Sequence, residues 1–175
     1  MTGQSWWTTK GHAQRRRVSG IGDVVASAGY TVFSSSAFTL DLTTKVKFGT
    51  ASTSDGLGTG KNDYSLRGDV FRSFGSLTAF AGVGYRWYGD PTGLDLRNVF
   101  FGSAGASYRA TDKLSFGAAA DYRQPIISGK EPITEVAPFV SYKATPDTKL
   151  QIYGVKAFSD SSPDWGGGIL LTHTL

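Results

Sequence analysis

The two histidines are the residues of this sequence best suited to acid–base or nucleophilic catalysis, yet neither has the partners that such chemistry needs. His12 lies in the segment HAQRRR, and His173 lies in the closing segment LLTHTL. Hydrolases place a histidine beside a nucleophilic hydroxyl group and a carboxylate. The hydroxyl groups next to His173, on Thr172 and Thr174, point to the opposite face of an extended chain. The sequence therefore predicts that the protein is not an enzyme.

A glycine-rich segment and an acidic loop are the other candidates for ligand chemistry. The segment GLGTGK at 56–61 has the look of a phosphate-binding loop, but Asp55 stands where the first glycine belongs and Asn62 replaces the expected Ser or Thr. A hairpin loop is the better interpretation. Asp160 and Asp164 could bind a divalent cation, although turn formation explains the surrounding SDSSPDW equally well. The sequence has no Cys, and we expect neither a metal nor a cofactor.

Charged side chains follow a regular pattern in which they alternate with apolar ones. In residues 37–49, apolar side chains occupy every second position and polar ones the positions between. A period of two indicates a β-strand with two chemically different faces. The pattern recurs at 21–33, 64–73, 77–88, from Phe100 to Arg109, from Leu114 to Arg123, from Glu135 to Lys143 and in a closing strand, while 149–158 is a strand without assigned faces. The charged residues of the polar face are the candidates for lining a lumen: Asp41, Lys45, Lys47, Arg67, Asp69, Arg86, Arg109, Asp121, Arg123, Glu135 and Lys143.

The connections between these strands alternate in length. Short ones at 34–36, 74–76, 111–113 and 145–148 take turns with longer loops, rich in Gly, Pro and Asp, at 51–61, 89–97, 125–133 and 159–165. This alternation predicts an up-and-down antiparallel meander. The 23 glycines among 175 residues argue against a helical domain, and no apolar run is long enough for a membrane helix.

Aromatic residues of the apolar face lie near both ends of the strands. Tyr64, Tyr85, Trp87 and Tyr122 are next to long loops, whereas Tyr30, Tyr108 and Tyr142 are next to short turns. Two such girdles are typical of the two interfaces of a membrane. We therefore predict a transmembrane β-barrel whose apolar face contacts lipid. A soluble lipocalin-like barrel, which turns its apolar face inward toward a ligand, is the alternative.

The number of strands bears on where the barrel begins. Nine strands follow residue 21, but bacterial barrels have even numbers, so we expect about ten, with the end of the first at Ser5 to Thr9. His12 to Arg17 would then lie in an outer loop, facing lipopolysaccharide or solvent. We expect residues 1–175 to be one barrel domain, with residues 1–20 a partial first strand and outer loop. We also expect an N-terminal piece that contains the export signal and most of the first strand to precede residue 1. The polar face carries both signs of charge, so nucleic-acid binding is not expected.

Three segments resemble a known family. They are GIGDVVASAGY at 20–30, the run KVKFGT to GLGTGKNDYSL at 45–66, and SDSSPDWGGG at 159–168. They are similar to the transporter-like outer-membrane barrels of the MetA-pathway of phenol degradation family, over most of residues 20–175. The resemblance implies an outer-membrane barrel of a Gram-negative bacterium that passes hydrophobic or aromatic compounds. The chain departs from outer-membrane barrels in ending with Leu175 rather than with an aromatic residue.

We therefore expect a narrow channel or transporter for small solutes, in contact with outer-membrane lipid and lipopolysaccharide, whose oligomeric state the sequence leaves open. About ten strands enclose little space beyond their side chains. The inward charges then form either a selectivity filter or a salt-bridged plug, and a non-conducting structural or loop-binding barrel is a further alternative. Aromatic residues on the polar face either line a route for aromatic solutes or fill space: Phe71, Phe80, Tyr88, Phe101 and Phe139.

Overall fold

The computed structural model describes residues 20–93, 95–159 and 164–174, which form a single sheet of nine strands. The strands are β1 (Val24–Ser34), β2 (Thr39–Phe48), β3 (Asp63–Phe74), β4 (Leu77–Trp87), β5 (Val99–Arg109), β6 (Leu114–Arg123), β7 (Ile133–Lys143), β8 (Thr148–Ala157) and β9 (Trp165–His173). Each pairs antiparallel with the next, so the sheet follows chain order from β1 to β9. Across these residues no helix is long and apolar enough to cross a membrane.

The sheet curls into a half-barrel, and the predicted up-and-down meander is confirmed. Tight turns join β1 to β2, β3 to β4, β5 to β6 and β7 to β8, and longer loops join the remaining neighbours. We call the two ends of the sheet the short-turn end and the long-loop end. The two-residue turn between β3 and β4 contains Gly75, whose φ of 64° lies in the left-handed region that favours glycine.

The register keeps chemically similar residues side by side across the strands. On one face, Leu42, Gly68, Val83, Gly102 and Tyr122 are successive cross-strand partners from β2 to β6. The adjacent row on the other face runs through Thr43, Arg67, Gly84, Phe101 and Arg123. The alternation in the sequence thus gives the sheet one apolar and one polar face, because successive side chains of a strand point to opposite sides.

β1 differs from the sequence prediction, and β8 supplies the face assignment that the sequence leaves open. β1 begins at Val24, later than the predicted residue 21, and the register shifts between Thr31 and Phe33. This β-bulge places Phe33, rather than the predicted Val32, opposite Leu40 on the apolar face, because one extra residue reverses the alternation. In β8, whose faces the sequence leaves unassigned, Ile152 pairs with Val140 on the apolar face.

The polar face is the concave one. Arg67 of β3 donates a hydrogen bond from Nη2 to Oγ of Ser103 on β5, a distance of 2.6 Å, and so crosses over β4. Side chains of strands that are not neighbours meet in this way only on the inside of a curved sheet. The apolar face is therefore convex and points outward.

The apolar side chains are not gathered into a core. Among the described residues, the buried hydrophobic ones are Ala51, Val99 and Ala157. Large side chains of the convex face are exposed instead, to 62% for Val83 and 71% for Ile169. A water-soluble domain buries most such side chains and rarely leaves a large contiguous apolar surface.

Rings on the concave face pack against glycines. Four aromatic residues lie directly opposite a glycine of the neighbouring strand, in the pairs Phe80–Gly105, Phe101–Gly84, Phe139–Gly117 and Tyr153–Gly168. A Cβ atom added at Gly105 or at Gly117 would lie 2.6 Å from the ring opposite, which is too close for any side chain. Each glycine therefore gives space to one ring, and we call these four contacts the ring–glycine pairs.

Candidate functional site: the concave polar face

Lys47 binds two carboxylates at the long-loop end of the sheet. Its Nζ atom lies 3.1 Å from Oδ2 of Asp23, which precedes β1, and 2.9 Å from Oδ2 of Asp63, the first residue of β3. The side chains of Asp23 and Asp63 are only 11% and 10% exposed. The three residues form a largely buried ion-pair cluster, which we call the rim anchor.

The rim anchor holds the loops around it. Asp23 accepts a hydrogen bond from the backbone N–H of Ala51 at 3.0 Å, and Asp63 accepts one from that of Gly89 at 3.2 Å. Two long loops, 49–62 and 88–98, are thereby attached to the same charge cluster. The segment 56–61 lies in the first of these loops, with Gly58 packed against the Asp23 carboxylate. It is part of a hairpin connection, as predicted, and an adjacent carboxylate would repel a phosphate.

The hydrogen bonds of Asp23 alter its acidity. Partial burial of the carboxyl group favours its neutral form, but the N–H of Ala51 and the ammonium group of Lys47 stabilise the carboxylate more strongly. The pKa of Asp23 consequently lies below its ordinary value of 3.8. The Asp23 carboxylate is therefore ionised at neutral pH.

A second charged group lies further along the strands, toward the middle of the concave face. Nε of Arg67 donates a bifurcated hydrogen bond to the Asp69 carboxylate, 2.7 Å to Oδ1 and 2.8 Å to Oδ2. The ion pair lies across Gly82 of β4, where a Cβ atom would collide with both side chains. Asp69 is also the direct cross-strand neighbour of Asp41, which accepts its own hydrogen bond from Thr31 at 2.7 Å. Each of these two carboxylates therefore has a donor of its own.

Arginine side chains surround the ring of Phe101. The guanidinium carbon of Arg67 lies 5.8 Å from the ring centroid, and that of Arg86 lies 5.4 Å from it. Arg86 also contacts Tyr88, with its Nη1 atom 3.3 Å from the phenol oxygen. Cation–π contacts of this kind are favourable. They hold Arg86 against aromatic rings rather than against a carboxylate.

A cavity of about 320 Å³ opens on the concave face beside Phe101. It lies between β4 and β7, and its lining includes Arg86, Phe101, Asp121, Arg123, Ile133 and Glu135. A smaller cavity of about 110 Å³ adjoins it near β2 and is lined partly by Lys45, Lys47, Asp63 and Arg86.

The structure thus brings together many of the lumen candidates but not all of them. Arg67, Asp69, Arg86, Asp121, Arg123 and Glu135 lie in or beside the larger cavity, and Lys45 and Lys47 line the smaller one. Asp41 lines neither cavity and accepts a hydrogen bond from Thr31 beside Asp69, and Arg109 and Lys143 are exposed at the short-turn end. The selectivity role of all eleven stays a prediction.

Sequence reasoning missed Asp23 and Asp63. Both stand at strand boundaries, so neither belongs to the middle of an alternating run. They do occur in the segments that carry the family resemblance, GIGD and GTGKNDY. The recurrence of an acid after a glycine-rich segment was the available signal, and the structure shows that both acids bind the same lysine.

Among the catalytic candidates, His173 lies away from these clusters. Nδ1 of His173 is 3.0 Å from the hydroxyl oxygen of Thr148, on the convex face at the short-turn end. Within the described ranges, no group of three or more His, Cys, Asp or Glu side chains could hold a metal ion. His12, Asp160, Leu175 and the predicted strand end at Ser5 to Thr9 lie outside the described residues.

The convex face has its aromatic residues near its two ends. At the long-loop end the ring of Tyr85 packs 4.9 Å from that of Trp87 and 4.6 Å from that of Phe100, and at the short-turn end Tyr108 packs 5.5 Å from Phe116. The seven aromatic residues predicted for the membrane interfaces are all on this face: Tyr30, Tyr64, Tyr85, Trp87, Tyr108, Tyr122 and Tyr142.

Two charged side chains also occur in the strands of the convex face. They are Arg72, near the short-turn end, and Lys156, near the long-loop end. The guanidinium carbon of Arg72 lies 4.8 Å from the centroid of the Phe74 ring, and Nζ of Lys156 lies 4.9 Å from that of Trp165. Between these two ends, the described strands carry no charge on the convex face.

An antiparallel up-and-down sheet with a charged concave face and an apolar convex face is a structure consistent with a β-barrel. A family model described as "Putative MetA-pathway of phenol degradation" matches residues 2–175, and the chain belongs to this family. No curated protein matches the sequence.

Proposed function

We propose that the protein is a β-barrel of the outer membrane of a Gram-negative bacterium and that it conducts small solutes, including hydrophobic or aromatic compounds. The observation that carries this proposal is the exposed apolar convex face. Because buried hydrophobic residues are so few in the described part of the chain, that face needs a non-aqueous surrounding. Lipid provides one.

The dimensions of the strands support a membrane location. They contain between 9 and 12 residues, and a tilted strand needs about 9–11 residues to cross a bilayer. The aromatic residues near both ends suit the two interfaces. Arg72 and Lys156 lie where long side chains can extend into the headgroup layer. Bacterial barrels have short periplasmic turns and longer outer loops, so Lys156, near the long-loop end, would be on the side that faces lipopolysaccharide.

The soluble lipocalin-like alternative fits the geometry less well. It requires apolar side chains inside the curve of the sheet, where an apolar ligand would bind. The concave face instead carries Lys47, Arg67, Arg86, Asp121 and Glu135. An apolar ligand would have to displace hydrogen bonds and hydration from these charges.

The conduction of solutes is supported by the charged concave face and by the family. Charges of both signs beside a cavity of about 320 Å³ suit a hydrated route. The family description refers to phenol degradation, which fits aromatic solutes. The second candidate, a non-conducting barrel, is supported by the ring–glycine pairs and by the ion pair between Arg67 and Asp69, which occupy part of the lumen.

Single-channel recording separates these candidates. The full-length protein with its native N-terminus is refolded from detergent into a planar bilayer under a salt gradient. Discrete openings are expected, and Arg86→Gln should shift the reversal potential toward cations because it removes a positive charge from the lumen. A correctly folded barrel that never conducts would refute the channel. A protein found in the soluble fraction of cells would refute the membrane location.

A further inference from the structure

The larger cavity brings together charges of both signs that form no ion pair between described residues. The ion pairs between described residues join Lys47 to Asp23 and Asp63, and Arg67 to Asp69. The cavity adds two guanidinium groups, of Arg86 and Arg123, and two carboxylates, of Asp121 and Glu135. None of these four has an ion-pair partner among the described residues. Opposite charges therefore line one cavity without neutralising each other by contact.

Three of these groups are in unfavourable positions without a further partner. Asp121 and Glu135 are direct cross-strand neighbours, and like charges in such positions repel each other. Nε of Arg123 is buried and has no hydrogen-bond partner among the described residues. A buried donor without a partner is costly. A positively charged group bound between the two carboxylates would relieve their repulsion, and the guanidinium group of Arg123, which lines the same cavity, would attract an anionic group of the same molecule.

The register separates the two signs of charge along the strands. Phe101, Arg123 and Ile133 form one cross-strand row near the long-loop end, and Asp121 and Glu135 are neighbours two residues deeper. Two residues of a strand span about 7 Å. A solute entering from the long-loop end would meet the guanidinium level first and the carboxylate level second, with the apolar side chains of Phe101 and Ile133 beside it.

We infer that this cavity binds small zwitterionic solutes of the α-amino acid type that have an apolar side chain. The solute carboxylate is bound by Arg123 and Arg86, the ammonium group by Asp121 and Glu135, and the side chain packs on Phe101 and Ile133. A simple anion would be repelled by the two carboxylates and a simple cation by the two guanidinium groups. The inference rests on the proposed conduction of solutes and deepens it by naming a substrate class.

The test compares four probes that share a ring and differ in charge. L-Phenylalanine carries both charges, 3-phenylpropionate lacks the ammonium group, 2-phenylethylamine lacks the carboxylate, and phenol has neither. Dissociation constants are measured by calorimetry and by NMR saturation transfer on the refolded full-length chain in detergent micelles. Phenylalanine is expected to bind at least about tenfold more tightly than the other three, since each charge-assisted hydrogen bond contributes about that factor.

Variants then test which residues bind the carboxylate of the solute and which bind its ammonium group. Arg123→Gln should abolish the preference for phenylalanine over phenylethylamine, and Glu135→Gln should abolish its preference over phenylpropionate. Arg109→Gln, an exposed arginine at the short-turn end, is the matched control and should change neither. Far-UV circular dichroism and the folded band on a gel of unheated sample verify each fold. The comparison of probes on the unaltered protein does not depend on any variant.

Three results would overturn the inference. Equal binding of 3-phenylpropionate would define an anion site, equal binding of phenol would define a simple ring pocket, and no binding of phenylalanine to the folded chain would exclude the site. Because binding is measured in micelles, it is independent of conductance. A conducting barrel that does not bind phenylalanine refutes only this inference, whereas a barrel that binds it and never conducts refutes only the proposed channel.

Discussion

Replacing Lys47 with methionine removes the cation that two carboxylates of the rim anchor share. Both contacts are about 3 Å long, and each is worth about 5 kcal/mol at an effective dielectric constant of about 20, before the cost of desolvation is subtracted. Breaking a buried ion pair by removing one partner costs about 3–5 kcal/mol. Because the Lys47 side chain is 23% exposed, we expect a smaller loss, of about 2–3 kcal/mol.

The lost stability of Lys47→Met should appear as opening of the loop 49–62. Asp23 and Asp63 hold the backbone of this loop and of the next one, and without Lys47 the two carboxylates repel each other. Trypsin cleavage after Lys61 reports the open fraction when opening is fast relative to cleavage. A change of 2–3 kcal/mol corresponds to cleavage about 30- to 150-fold faster.

Lys45→Met is the matched control, because Lys45 lies on the same face of β2 two residues away and has no ion pair among the described residues. The double variant Lys47→Met with Asp63→Asn should be cleaved more slowly than Lys47→Met alone, since only one buried carboxylate remains. Cleavage of Lys47→Met at the unaltered rate, or no faster than that of Lys45→Met, would refute the role of the rim anchor.

Three further predictions concern pH, packing and the membrane. Because the pKa of Asp23 is lowered in the folded protein, its carboxylate stabilises the loop at pH values above the ordinary pKa of 3.8. This contribution is lost as the pH falls through the folded-state pKa. The hydrogen-exchange protection of the Ala51 amide, corrected for its intrinsic exchange rate, should therefore fall in acid. In Asp23→Asn the protection of the Ala51 amide should be low at every pH. Equal protection of this amide in the variant and in the unaltered protein at neutral pH would contradict the role of Asp23. Gly117→Ala should lower the unfolding free energy by about 1–3 kcal/mol, as measured by urea titration, because its Cβ would collide with the backbone carbonyl of Ala106 and with the ring of Phe139. Gly154→Ala, whose Cβ would have its nearest neighbour at 4.0 Å, should not. Val83→Arg on the convex face should reduce insertion into liposomes, at a cost of about 2–4 kcal/mol, whereas Asp112→Arg in a turn should insert normally.

The sequence determined the sheet better than it determined the site. Alternation fixes which residues share a face, and turn composition fixes where strands end, so the meander was predictable. The bulge at Val32 was not, because one extra residue in an apolar run such as YTVF leaves no mark on composition. The inward position of Arg67 and Arg86 followed from the same alternation. The contact of both arginines with Phe101 did not, because the register between strands brings this ring of β5 beside them, whereas Asp69 lies on the same strand as Arg67, two residues away.

The ring–glycine pairs carry information that alternation lacks. A slip of two residues between neighbouring strands would keep every apolar side chain on the convex face, so the two-residue period tolerates it. The same slip, in either direction, would move the rings of Phe80 and Phe139 off their glycines and onto a serine or alanine side chain. The stagger between strands sets their tilt, and strand number and stagger together set the diameter of a closed barrel. The positions of Gly105 and Gly117 therefore help to determine how wide a barrel this sheet can form.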